Sequence, residues 1–174
     1  MKVIMFFRHK HEFESDALHE SFKSKTPVFS FALLKLKATI KSDWTQKNIE
    51  HVKNNMAYDK GSTLPHNVLE AYILDNNNVA TCQQYFLLNS KNEATAVSEF
   101  DNNPYEQAHL LFENVEKTLF EKLDIKKISS LNNNVNSQFF KARGYNQTSL
   151  GSPNEHVIRS ILTKEKYFER EKQK

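Results

Sequence analysis

Cysteine, glycine and long apolar runs are all scarce in this chain, and each scarcity excludes something. One cysteine in 174 residues, Cys82, rules out an internal disulfide and any metal site built from several cysteines. That usage points to a cytoplasmic setting. The three glycines, Gly61, Gly144 and Gly151, stand far apart. A phosphate-cradling P-loop or a dinucleotide fingerprint needs several glycines within a few residues, because backbone must approach phosphate closely. Both classes are excluded. No apolar run approaches the roughly 20 residues of a membrane span, and the opening MKVIMFFRHK turns charged too soon for a signal peptide. Neither sign of charge dominates: 24 basic against 21 acidic residues give +3, spread along the chain. A nucleic-acid binder would gather its basic residues into a stripe interleaved with aromatics. Neither nucleic acid nor membrane is therefore expected as a partner.

What is present is an ordinary balance, with 39% apolar and 26% charged residues. The length suits one domain over 1–174 with a normal core, and a charged tail over about 165–174 that frays. The β-branched and aromatic run KVIMFFR over 2–8 reads as a strand. Phe13, Ala17, Leu18 and Phe22 recur at helical spacing over 12–24, and Thr26-Pro27 ends that helix. A second helix is expected over 29–41, then a polar stretch anchored by Trp44 and a loop over 61–67. From there the period changes to two: VLEAYIL over 68–74, VATCQQYFLL over 79–88 and ATAVSEF over 94–100 read as three meander strands. Asn-rich turns separate them. Asn103-Pro104-Tyr105-Glu106 has the form of a capping box with proline at the first helical position. Behind it Ala108, Leu111, Val115 and Leu119 mark one helix face as far as Leu123. A strand over 125–131, a short helix over 133–143 stopped by Gly144, and a strand over 156–163 complete the order β-α-α-β-β-β-α-β-α-β.

In that order the chain resembles the GNAT superfamily of N-acetyltransferases. Three pieces carry the resemblance. Asn133, Phe139, Phe140, Gly144 and Tyr145 sit where the family has N-x(5)-[aliphatic or aromatic]-Y-x(3)-G-F. VSEFDNNPYEQAHLL over 97–111 matches without gaps the family segment running from its fourth strand into its acetyl-CoA-binding helix. The opening HEFESDALHESF…SFALLKLK is similar to a bacterial subgroup with two helices ahead of the sheet. The resemblance implies an α/β (α+β) fold with a mixed, mostly antiparallel sheet that splays between its fourth and fifth strands. It implies acetyl-CoA as cofactor in that gap, a small-molecule or protein amine as substrate, and pairing as a homodimer. On the same basis the cofactor-binding residues would be Val97, Asn102, Asn103, Tyr105, Gln107, Ala108, Asn133 and Phe140. The catalytic residues would be Glu99 as base and Tyr145 as a stand-in for the family's proton-donating tyrosine.

The chain departs from the family where phosphate would bind. The loop pattern [RQ]-x-x-G-x-[GA] falls on Asn102-Asn103-Pro104-Tyr105-Glu106-Gln107, so both small positions carry bulky residues. Asp101 and Glu106 bring carboxylates beside an anion site, and a capping Glu106 would occupy the N–H groups a pyrophosphate needs. The family's thiolate-protonating tyrosine falls at Phe140. Local readings stand beside the functional ones. Glu99 could be a solvent-facing strand residue, Asn133 a helix cap, Phe140 and Tyr145 core aromatics, and Cys82 a buried small hydrophobe. His9 and His11 share a strand face, but no third ligand accompanies them, so no metal is expected. Two functions follow: an acetyl-CoA-dependent N-acetyltransferase, or a GNAT-fold protein that has lost the cofactor and serves as a binding or assembly module.

Overall fold

Turn chemistry organises the middle of the chain. The Asp75 carboxylate accepts from the backbone N–H of Asn77 at 2.8 Å and of Val79 at 2.9 Å, and Asn78 takes φ 61°. Asn89 repeats the device, accepting from Lys91 at 3.0 Å and Glu93 at 3.1 Å, with Asn92 at φ 59°. Asparagine enters this left-handed region at little cost because its short polar side chain bonds locally. The three meander strands are thereby fixed in register.

The computed structural model describes residues 1–8, 13–28, 68–97, 104–151 and 157–174. The elements are β1 (Lys2–Arg8), α1 (Phe13–Ser24), β2 (Val68–Leu74), β3 (Ala80–Leu88), β4 (Glu93–Val97) and α2 (Tyr105–Lys117). After α2 comes one π-helical turn (Thr118–Lys122), then β5 (Lys127–Asn132), α3 (Asn134–Ala142), β6 (Asn146–Leu150), β7 (Val157–Thr163) and α4 (Lys164–Glu171). The seven strands form one sheet in the order β1-β2-β3-β4-β5-β7-β6. Every neighbouring pair is antiparallel except β4 with β5, which run parallel. This is the mixed, mostly antiparallel sheet that the sequence implies.

Strand alternation sorts the core into two layers. Leu69, Ala71, Ile73, Cys82 and Phe86 face α2, whose Ala108, Leu111, Phe112 and Val115 are buried at helical spacing. Phe112 meets Phe86, Phe139 and Phe140 edge-on, with ring centroids 5.2–5.5 Å apart. Burying each such ring contributes roughly 2–3 kcal/mol relative to leaving it in water. On the other face Leu18 and Phe22 of α1 pack with Ile4, Tyr72, Leu74 and Ala80.

Several expectations need correction. The segment NQTSL forms the strand β6, absent from the expected order. It is an edge strand with an exposed or half-buried residue at every position, so it shows no apolar alternation. The charged tail does not fray but forms α4. The Thr163 hydroxyl caps its start by accepting from Lys166 N–H, and Tyr167 stacks on Phe120 at 4.9 Å while donating to Glu121 at 2.8 Å. Asn103 of the expected capping box lies outside the described residues; Pro104 is the N-cap of α2, and among the described residues no side chain caps that helix. β5 starts two residues later and ends one residue later than expected, over Lys127–Asn132. The expected helix over 29–41, Trp44, the loop over 61–67, and His9 and His11 lie outside the described residues.

Candidate active-site cleft

The parallel pairing of β4 and β5 is short. It joins Glu93 to Lys127 and ends with Ala96 opposite Ser130. Val97 and Leu131 come next in register, yet they are not paired with each other and are 43% and 57% exposed. β5 meanwhile continues beside β7 as far as Asn132. The two strands therefore part at their C-terminal ends and leave a cleft whose lips are Val97 and Leu131.

α2 begins beyond the β4 lip. Its first intrahelical bond runs from Ala108 N–H to the Pro104 carbonyl at 2.9 Å. The N–H groups of Tyr105, Glu106 and Gln107 thus have no intrahelical acceptor. Among the described residues none receives a side-chain cap, whereas α3 is capped by Asn133, whose Oδ1 accepts from Asn136 N–H at 2.9 Å. Open donors plus the positive end of the helix dipole suit an anionic group. The bulky residues of the loop turn aside. Gln107 accepts from the Thr81 hydroxyl of β3 at 2.5 Å. Tyr105 lies 58% exposed, with its ring 4.6 Å from His109 and 5.8 Å from Phe139. The residues present therefore fit a phosphate-bearing cofactor better than the sequence pattern implies, although exposed Glu106 still brings a carboxylate into the first turn.

The β4 lip is held from β3. Gln84 donates through Nε2 to the Val97 carbonyl at 2.8 Å and to the Tyr85 carbonyl at 3.0 Å. Those two acceptors fix which end of the amide is nitrogen. They leave Oε1 turned away, buried and without a partner. An unmatched buried amide oxygen costs about 1–3 kcal/mol. On the opposite sheet face, Tyr85 stands across from Val97 and opens a polar cluster. The Tyr85 hydroxyl lies 3.0 Å from His19 Nδ1 and 3.1 Å from the Tyr72 hydroxyl, which donates to Glu70 at 3.3 Å. Gln83 Oε1 lies 3.1 Å from His19 Nδ1 and accepts from Tyr85 at 3.3 Å. Glu70 and Tyr72 are fully buried; burial first, then the Glu70 carboxylate, hold the Tyr72 hydroxyl far above the usual phenol range. Further along this face, beyond Val97, a groove of about 250 Å³ runs over β4, β5 and β7 past Thr95, Ser129, Leu131 and Arg159.

Tyr145 packs against Phe140, and its hydroxyl is committed to a buried carboxylate. Its hydroxyl donates to Glu116 Oε1 at 3.0 Å, and burial, followed by that carboxylate, raises it well above the usual phenol value. Fully buried Glu116 also receives Arg143 at 3.0 and 2.6 Å and Arg170 of α4 at 2.7 Å. Arg143 continues to His109 Nδ1 at 3.1 Å. A guanidinium can only donate, so that imidazole nitrogen accepts and the ring is neutral. Burial, then Arg143, hold His109 below its ordinary value against the opposing pull of Glu116. Phe140 is fully buried among Phe112, Phe139 and Tyr145, and Ala108 is fully buried too. Asn133 sits at the start of α3 as its cap. Cys82 is buried and its thiol pushed up to about 12, which makes it inert. Glu99, Asn102 and Asn103 lie outside the described residues. Among the described residues no group of histidine, cysteine and carboxylate could hold a metal, and no helix is long and apolar enough to cross a membrane.

A parted parallel pair within an otherwise antiparallel sheet, followed by a helix with an open start, is the GNAT fold, and solved structures of that fold match this chain. A spermidine/spermine N-acetyltransferase from Vibrio cholerae, in mutant form, shares 13% identity over 95% of this chain and 98% of its own, with a TM-score of 0.52. A probable acetyltransferase from Staphylococcus epidermidis shares 11% over 93% and 99%, with a TM-score of 0.51. A spermidine N-acetyltransferase chimera, from Vibrio cholerae and hSSAT, shares 13% over 95% and 99%, with a TM-score of 0.53. At these identities the likeness is one of fold. No protein-family model matches the sequence, and no curated protein matches it.

Proposed function

We propose that this protein is a cytoplasmic, single-domain acetyl-CoA-dependent N-acetyltransferase acting on a primary amine. The observation that carries the reading is the uncapped start of α2 beside the point where β4 and β5 part. In this reading the N–H groups of Tyr105, Glu106 and Gln107, with Asn102 and Asn103 ahead of them, hold the pyrophosphate of the cofactor. Val97 lines the arm on the β4 side, and Asn133 and Phe140 border it from α3. The cofactor, when bound, supplies an acetyl thioester. Glu99, two residues past Val97, takes the proton from the ammonium so that the free amine can attack.

The amine docks on the opposite sheet face. There Tyr85 and His19 present polar atoms to an amine. Two of the structural neighbours act on spermidine, so polyamines are the first substrates to screen. A homo-oligomer belongs to the same reading.

A second reading rests on Glu106, whose carboxylate stands in the first turn of α2. There the anion site is lost and the fold serves as a binding module. Isothermal titration with acetyl-CoA and with free CoA separates the two. Saturable micromolar binding at one site is expected, with Glu99→Gln then abolishing turnover while leaving binding intact. No heat up to millimolar ligand from folded protein would overturn the enzyme reading.

A further inference from the structure

We propose that Gln84 is a cofactor-binding residue, whose side-chain oxygen accepts an N–H from the amide-bearing arm of CoA. The inference rests on the acetyl-CoA reading above and adds a residue from β3 to it. Three observations place Gln84 there. Its Nε2 is committed to the Val97 carbonyl at 2.8 Å, at the lip where β4 leaves β5. Its Oε1 is then aimed away from both carbonyls it serves and meets no donor. Its side chain lies on the α2 face of β3, since Gln84 stands opposite Ala71, a residue of the α2-side core.

The spacing agrees with the arm's direction. Thr81, which binds Gln107 in the first turn of α2, marks the level of the open helix start on β3. Gln84 lies three residues further along the strand, or about 10 Å at the usual rise. A ligand anchored by its phosphates at the helix start and reaching inward would bring a polar arm to the level of Gln84. The CoA arm carries two secondary amides, each with an N–H, and needs acceptors as it leaves water. Gln84 is 2% exposed, so the arm reaches its oxygen by displacing the atoms that cover it.

The test is isothermal titration of the full chain and its Gln84→Met variant with CoA and with 3′,5′-ADP, which keeps the phosphates but lacks the arm. Loss of one neutral acceptor is expected to weaken CoA by about 3- to 10-fold. Binding of 3′,5′-ADP should stay within about twofold, since its contacts are at the helix start. Equal weakening of both ligands, or of neither, would overturn the role of Gln84 and leave the acetyl-CoA reading standing. Absence of CoA binding in the unmodified protein would overturn both. A readout independent of the variant's folding is the side-chain carbonyl carbon of Gln84 by NMR in the unmodified protein. It should shift with CoA and stay in place with 3′,5′-ADP; no shift with CoA, or the same shift with both, overturns the proposal.

Discussion

The two halves of α2 treat polar groups in opposite ways. Toward its C-terminus, Glu116 is fully buried and receives two arginines and a tyrosine. At its N-terminus, three successive N–H groups have no intrahelical acceptor and, among the described residues, no side-chain cap. A helix this well buried leaves donors open at a cost, so the contrast separates polar groups that hold the fold from those available to a ligand. Gln84 repeats the contrast within one side chain: its nitrogen is satisfied by the protein, and its oxygen is not.

The largest expected effect breaks the saturated half. Glu116→Ala leaves Arg143 and Arg170 without their buried counter-charge and the Tyr145 hydroxyl without its acceptor. Removing one partner of such a pair costs about 3–5 kcal/mol, so urea denaturation should show a variant near or past the edge of unfolding. A loss below about 1 kcal/mol, the range of exposed ion pairs, would mean water reaches the network.

The next effect closes the open half. In Pro104→Asp, a side-chain cap and its charge at the helix start together contribute about 1–2 kcal/mol. Losing proline returns freedom to the unfolded chain and takes back roughly 0.4–1 kcal/mol. The ligand-free protein should therefore gain slightly in stability while CoA binding falls by about tenfold or more, as the cap occupies the donors. Stability and affinity moving together would break the comparison.

The smallest effect concerns His109, which touches both halves through Tyr105 and Arg143. Its value is lowered in the folded state, by burial first and by Arg143 second. The unfolded chain then binds more protons there, so this contribution is present above the ordinary histidine value of about 6.5 and is lost as pH falls. Urea midpoints at pH 7.5 and 5.5 should drop more for the unmodified protein than for His109→Gln. Equal drops would remove His109 from the coupling.

How much of this could be read from the sequence follows from the range of the interactions. Both Asn-rich turns, the meander strands and the α3 cap at Asn133 are set by neighbours within a few residues, and they were legible. The start of α2 was legible to within one residue, yet that residue matters. With Pro104 as N-cap, the helix begins with three donors that no described side chain caps. Glu116 lies in the stretch ENVEK, like any solvated helical glutamate, because its partners stand 27, 29 and 54 residues away. Gln84, Tyr85 and His19 gain meaning only once strand register and the packing of α1 bring them beside the cleft lip. β6 lacks an apolar period because it is an exposed edge.

The anchoring of Glu116 by Arg170 also has a consequence during synthesis. The ribosome adds 54 residues between the two. At about 5–20 residues per second that takes roughly 3–10 s. Through that interval a nascent α2 carries a carboxylate whose arginine partners arrive one after the other, and docking it onto the half-made sheet would bury an incompletely matched charge. The emerging chain therefore has reason to keep α2 undocked until α4 has left the exit tunnel.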